Sequence, residues 1–153
     1  FFDITRFNLS HLELEKRPVD LNRMLHQVVS EFQPMLAEKS MTCHLALPDK
    51  LSCSCDPDKL ARVFDNLLRN ACHYGLPGTD IRIAGEIDGG RAVLTFSNAG
   101  RTIPQEKLER TFEQFFRLDS SRATRTGGAG LGLARSADQE VVFTVSLPCS
   151  GMP

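Results

Sequence analysis

Between residues 20 and 36 apolar positions recur at helical spacing. Leu21, Met24, Leu25, Val28, Val29, Phe32 and Leu36 follow Asp20, whose side chain suits an N-cap. A second helix is marked more sharply: Asp56 caps, Pro57 takes the first helical position, and Leu60, Val63, Phe64, Leu67, Leu68 and Ala71 form the buried stripe. Residues 41–47 and 51–55 read as two short strands around Pro48-Asp49-Lys50. Residues 80–87 and 91–97 flank Asp88-Gly89-Gly90, a hairpin signal, and residues 141–147 read as a last strand. Leu12 and Leu14 alternate with Glu13 and Glu15 like an edge strand. Over residues 1–9 the seam Phe2, Ile4, Thr5, Leu9 predicts a short helical stub of a preceding element. Pro104 opens another helix, with Leu108, Phe112, Phe115 and Phe116 inward, and the polar, glycine-rich residues 117–130 predict a mobile loop. Helices and strands alternate without a strict βαβ rhythm. The expected fold is α+β, a mixed sheet covered by helices on one face.

Composition narrows the class. A chain of 153 residues suits one compact domain. With 18 basic against 19 acidic residues the net charge is -1, which leaves no polybasic footprint for nucleic acid. No apolar run approaches the roughly 20 residues that span a bilayer, and no signal-peptide pattern opens the chain. Phe1-Phe2-Asp3-Ile4, without Met, reads as the cut edge of a longer protein, so a soluble fragment is expected. Cys43, Cys53, Cys55, Cys72 and Cys149 make an odd set without a CxxC pair, and read as free thiols of a reducing cytosol rather than a metal site. Cys53 and Cys55 alternate with serines in a strand, so they share one face.

Three stretches carry candidate chemistry. Asn66 and Asn70 stand four residues apart on one helical face, and His73 extends the row. Buried amides need partners, which magnesium and phosphate oxygens would supply; the plainer alternative is two solvent-facing asparagines. Asn98 closes a strand before Ala99-Gly100-Arg101-Thr102, where its amide could meet a base edge or simply serve a turn. Thr126-Gly127-Gly128-Ala129-Gly130-Leu131-Gly132-Leu133-Ala134 would let backbone N–H groups approach phosphates. A flexible linker is the alternative, but a linker would stay polar through Leu131 and Leu133.

In this order the three stretches resemble the nucleotide-binding boxes of the GHKL ATPase superfamily. Thr111-Phe112-Glu113-Gln114-Phe115-Phe116-Arg117 narrows the likeness to sensor histidine kinases, because this phenylalanine-rich box separates them from the gyrase, chaperone and mismatch-repair branches. Residues 1–9, 56–64 and 116–119 are similar to the VanS sensors of vancomycin resistance. The resemblance implies the Bergerat two-layer α/β sandwich with a mobile ATP lid, and ATP and Mg2+ as cofactors. It also implies a boundary: residues 1–10 as remnant of the preceding dimerisation and phosphoacceptor helix, and residues 11–153 as the catalytic domain.

Roles follow by likeness. Asn70 would coordinate the magnesium that bridges the ATP phosphates. Asn66 stands where hydrolysing relatives carry a glutamate; an amide cannot accept that proton, which suits transfer to histidine rather than to water. His73 would touch phosphate when protonated, and Tyr74 would pack on adenine. Asn98 and Gly100 would form the adenine box, and Arg117 would stabilise charge on the transferred phosphoryl group. Gly128, Gly130, Leu131 and Gly132 would line the triphosphate. Asn98 replaces the family's aspartate, a variant VanS-like kinases share, and Thr102 replaces a glycine.

After Ala134 the family continues through a helix and a strand, whereas Arg135-Ser136-Ala137-Asp138 passes almost directly to the last strand. The expectation is that these elements belong to the protein and are merely lacking here, because losing a core helix would unfold so small a domain. The family's phosphoacceptor histidine precedes an acidic residue. His11, His26, His44 and His73 precede Leu12, Gln27, Leu45 and Tyr74, so none qualifies. The implied partners are a histidine-bearing dimerisation domain of the same kinase and a downstream response regulator, with no nucleic acid. A monomeric fragment of a homodimeric, membrane-anchored receptor with a cytoplasmic catalytic domain is expected. Two alternatives stand: a nucleotide-binding regulatory module without transfer, and an ATP-hydrolysing clamp, which Asn66 opposes.

Overall fold

The computed structural model describes residues 17–100 and 140–148 in full, and the backbone of residues 5–9 and 130–137. Ten elements result: β1 (Thr5–Leu9), β2 (Arg17–Asp20), α1 (Leu21–Glu38), β3 (Thr42–Ala46), β4 (Ser52–Cys55), α2 (Pro57–Tyr74), β5 (Asp80–Asp88), β6 (Arg91–Ala99), β7 (Gly130–Ala137) and β8 (Glu140–Pro148). Six strands form one mixed sheet in the order β1-β7-β8-β6-β5-β3; β3 runs parallel to β5 and the other neighbours are antiparallel. β2 and β4 make a separate antiparallel ribbon. The α+β two-layer architecture read from the sequence is therefore present.

Local chemistry explains both helices. The Asp20 carboxylate accepts from Arg23 N–H at 3.2 Å and starts α1, which buries Leu21, Leu25, Val28, Val29, Phe32 and Leu36. Asp56 accepts from the N–H groups of Asp58 and Lys59 and starts α2. Gly89 (φ 59°) and Gly90 (φ 79°) supply the left-handed pair that a two-residue β5–β6 turn requires. Along β6 and β8 burial alternates: Ala92, Leu94, Phe96, Val141, Phe143, Val145 and Leu147 face the helical layer. There Phe64 of α2 meets Phe96 with ring centroids 5.6 Å apart.

The strands expected over residues 41–47 and 51–55 are present, β3 joining β5 and β4 joining β2. One expectation is corrected. Thr5–Leu9 is a strand rather than part of a helical stub, in register with residues 130–134 of β7. A helix of nine residues is marginal by itself, and Thr5-Arg6-Phe7-Asn8-Leu9 also alternates with period two, so an available strand edge decides. β7 pairs antiparallel with β8, from Ala137↔Glu140 to Leu131↔Ser146. The candidate edge strand at Leu12–Glu15, the helix after Pro104 and the loop of residues 117–129 lie outside the described residues.

Candidate functional site

α2 lies along β6 between two anchors. Phe64 rests on Phe96, and ten residues later Tyr74 reaches Gly100, where an added Cβ would stand 2.7 Å from the Tyr74 carbonyl oxygen and 3.0 Å from Asn98 Nδ2. Gly75 bridges Gly100, and Leu76 N–H donates to the Ala99 carbonyl at 3.1 Å. Glycine at position 100 is thus a packing requirement. Asn66 and Asn70 fall between the two anchors on the helix, and Asn98 between them on the strand.

The amides are the informative groups. Asn66 is 8% exposed and Asn98 7%, so both side chains are buried. The Nδ2 atoms of Asn66 and Asn70 are buried without a hydrogen-bond partner. An unmet buried donor costs about 1–3 kcal/mol, so two of them one helical turn apart mark a place built to receive an acceptor. Turning either amide presents oxygen instead, which a hard cation accepts. Phosphate oxygens and magnesium both fit this pair. Asn98 Nδ2 donates to the Ala99 carbonyl at 3.0 Å. A hollow of about 280 Å³ at this end of the sheet is lined by Asp80, Arg82, Ser97, Asn98, Ala99 and Glu140. His73 is exposed, and its ring stands edge-on to Tyr74 at 4.7 Å.

One contributor carries no sequence signal. Lys39, just past α1, donates through Nζ to the carbonyls of Cys72 and Gly75, closing the C-terminal end of α2 beside Tyr74. It comes from more than thirty residues away, so no local pattern marks it.

The thiols Cys53 and Cys55 share one face, as their spacing implies, with sulfurs 3.5 Å apart and both buried. The hydrogen bond from Cys53 lowers the Cys55 pKa. Burial pushes Cys43 up to about 11, with the Cys72 thiol adding to it. Burial raises Cys72 as well, against the pull of Lys39 and Arg69.

The glycine segment does not join the asparagines. Gly132 pairs with Val145 and, through it, stands level with Leu94, whereas Asn98 pairs with Val141 and stands level with Ser136. Four residue steps and two strand spacings put Gly132 roughly 16 Å from Asn98. β7 is also paired on both edges: Gly132 faces Phe7 on one side and Val145 on the other. N–H groups of an interior strand point at its neighbours, so a phosphate cradle built from Gly130, Leu131 and Gly132 does not fit this arrangement. Arg117 and Gly128 lie outside the described residues.

Residues 55–151 match the family of histidine kinase-, DNA gyrase B- and HSP90-like ATPases, and the chain belongs to it. Among curated relatives it is similar to the sensor protein VanS of Enterococcus faecium, 46% identical over 97% of this chain, and to the sensor protein VanSC of Enterococcus gallinarum, 40% identical over the same share. The chain spans less than half of either relative, 42% and 45%. Both alignments run over 163 residues, more than the 153 here, so each relative carries residues that this chain lacks. In fold the chain is similar to the catalytic domain of histidine kinase ThkA (TM-score 0.72, 20% identity, 89% of this chain and 97% of that one). It is likewise similar to the Acinetobacter baumannii histidine kinase AdeS (TM-score 0.70, 18% identity, 92% and 70%).

Proposed function

We propose that this chain is the adenine-nucleotide-binding catalytic domain of a two-component sensor histidine kinase of the VanS type. One observation carries the reading: Asn66 and Asn70 present unmet buried donors in a row that ends at Tyr74, Gly100 and Asn98. In this reading Asn70 and Asn66 hold magnesium and phosphate oxygen, and His73 faces the same row. Tyr74, Asn98 and Gly100 frame the base. ATP and Mg2+ are the ligands, and nucleotide supplies the phosphoryl group when bound. The amides orient it without accepting a proton.

The family's reaction adds a histidine on an adjoining dimerisation domain, Arg117 as the group that stabilises the transferred charge, and a response regulator as recipient. ThkA has been crystallised with its response regulator TrrA. Residues 1–10 would then belong to the boundary with that adjoining unit, and the whole protein would be a membrane-anchored homodimer with this domain in the cytoplasm, in glycopeptide-resistance signalling. No described helix is long and apolar enough to cross a membrane.

Calorimetry with magnesium and ATP, on this chain and on its Asn70→Asp variant, tests the reading. Magnesium-dependent binding that changes with the variant supports it, and a folded chain that binds no adenine nucleotide overturns it. A second reading, a nucleotide-binding module without transfer, is favoured by the double pairing of β7. Adding the isolated histidine-bearing domain in trans separates the two: labelled phosphohistidine supports transfer, and binding without it supports the module.

A further inference from the structure

We propose that Lys39 is a positioning residue for the base: by holding the turn between α2 and β5 it fixes which way the Asn98 amide faces, and so sets a preference for adenine over guanine nucleotides. This role rests on the nucleotide-binding reading above and deepens it. Asn66 and Asn70, with their unmet donors, serve the phosphate end of that site, whereas Lys39 acts on the base end.

The turn is held from both sides. Lys39 Nζ donates to the Cys72 carbonyl and, at 3.0 Å, to the Gly75 carbonyl, while the Lys39 carbonyl accepts from Gly78 N–H at 2.9 Å. The end of α1 aims Lys39: Ser40 takes a left-handed backbone (φ 54°) and Met41 N–H returns to the Leu36 carbonyl. The Met41 side chain closes on Gly75, where an added Cβ would stand 2.6 Å from its Cε. From this held turn a line of contacts runs to the amide. Gly75 bridges Gly100, Leu76 N–H donates to the Ala99 carbonyl at 3.1 Å, and Asn98 Nδ2 donates to the same carbonyl at 3.0 Å. The turn and the amide thus share one acceptor. With Nδ2 engaged there, Asn98 offers its oxygen to a ligand. That oxygen accepts from the exocyclic amino group of adenine and opposes the oxygen that guanine carries in its place, itself an acceptor. Without the Lys39 bonds the Leu76–Ala99 contact loosens, Nδ2 is released, and a turned amide donates to guanine equally well.

The experiment titrates ATP and GTP by calorimetry, with and without magnesium, into this chain and its Lys39→Met, Lys39→Arg and Val29→Ala variants, each confirmed folded by circular dichroism. Val29, in the buried stripe of α1, controls for lost stability alone. Expected is a preference for ATP of about tenfold or more in the parent, about threefold or less in Lys39→Met, and near the parent's in Lys39→Arg and Val29→Ala. The factor by which magnesium tightens ATP is expected to stay the same throughout, because the amides of α2 are untouched. A Lys39→Met variant that keeps the parent's preference overturns the proposal. So does a parent that binds both nucleotides alike, a Val29→Ala variant that narrows the preference as much, or a magnesium factor that shifts with Lys39. If Lys39→Met does not fold, Lys39→Gln, with a neutral donor on a shorter stem, is read in the same way. A folded parent that binds neither nucleotide overturns the nucleotide-binding reading itself, and the role of Lys39 with it.

Discussion

Replacing Asn66 with leucine is expected to make the protein more stable and its ligand binding weaker. The side chain is 8% exposed and its Nδ2 has no hydrogen-bond partner, in a stretch of α2 flanked by Val63 and Leu67. Water solvates that amide in the unfolded chain, and folding strips it away without replacement, at a cost of about 1–3 kcal/mol. Leucine has a similar shape and no donor to lose. The expected gain is about 1–2 kcal/mol in unfolding free energy, which for a domain of this size raises the melting temperature by about 2–8 °C. Nucleotide binding moves the other way. A hydrogen bond to a charged phosphate is worth about 1.5–3 kcal/mol, so affinity is expected to fall about 10- to 100-fold. Urea titration followed by calorimetry on the same samples measures both. A variant that is destabilised by more than about 1 kcal/mol would mean that the amide is satisfied in the folded protein, and the reasoning fails. Unchanged nucleotide affinity would remove Asn66 from the site.

Other perturbations test the frame around the amides. Gly100→Ala pushes a methyl group to 2.7 Å from the Tyr74 carbonyl oxygen. It is expected to cost about 1–3 kcal/mol by urea titration and to weaken nucleotide binding, since backbone rather than a flexible tip must yield. Lys39→Met keeps the apolar stem but removes the donors to Cys72 and Gly75, so a loss of about 1–2 kcal/mol is expected, with faster hydrogen exchange at the end of α2. Cys43 has a folded pKa of about 11 against 9.0 for the free thiol, so the folded state keeps its proton where the unfolded state has lost it. Its contribution is complete below pH 9 and is lost as pH rises to about 11. Stability measured at pH 8 and pH 10.5 should fall more steeply in the parent than in Cys43→Ala; parallel profiles would refute the assignment.

How legible the chain was depends on the range of the signal. α1 and α2 announce themselves through Asp20, Asp56, Pro57 and their apolar stripes, because capping and periodicity are local. The β5–β6 hairpin is equally plain, since Gly89 and Gly90 take backbone conformations that few other residues accept. Of the candidate site, the Asn66–Asn70 row and the meeting of Tyr74 with Gly100 follow from one helix lying on one strand. Lys39 was hidden because its partners are distant carbonyls, which have no residue identity to read. Thr5–Leu9 has no single local solution, because a nine-residue segment satisfies two periodicities at once, and its state is settled by a strand more than a hundred residues later.

The fate of the glycine segment shows how non-local pairing overrules a local motif. Val141, Phe143, Val145 and Leu147 of β8 are 0–3% exposed. The ribbon supplies part of the cover: β4 lies against β8, with Cys53 and Cys55 buried. With that face closed, β8 still needs a neighbour on its outer edge, and residues 131–137 give it seven paired positions. The backbone hydrogen bonds of this edge form whether or not ligand is present, each contributing about 0.5–1.5 kcal/mol net. A nucleotide at a hundred times its dissociation constant would return only about 2.7 kcal/mol for freeing the same backbone. Glycines that could wrap a phosphate are therefore held in the sheet, and the competition is decided by the edge of β8 rather than by the motif.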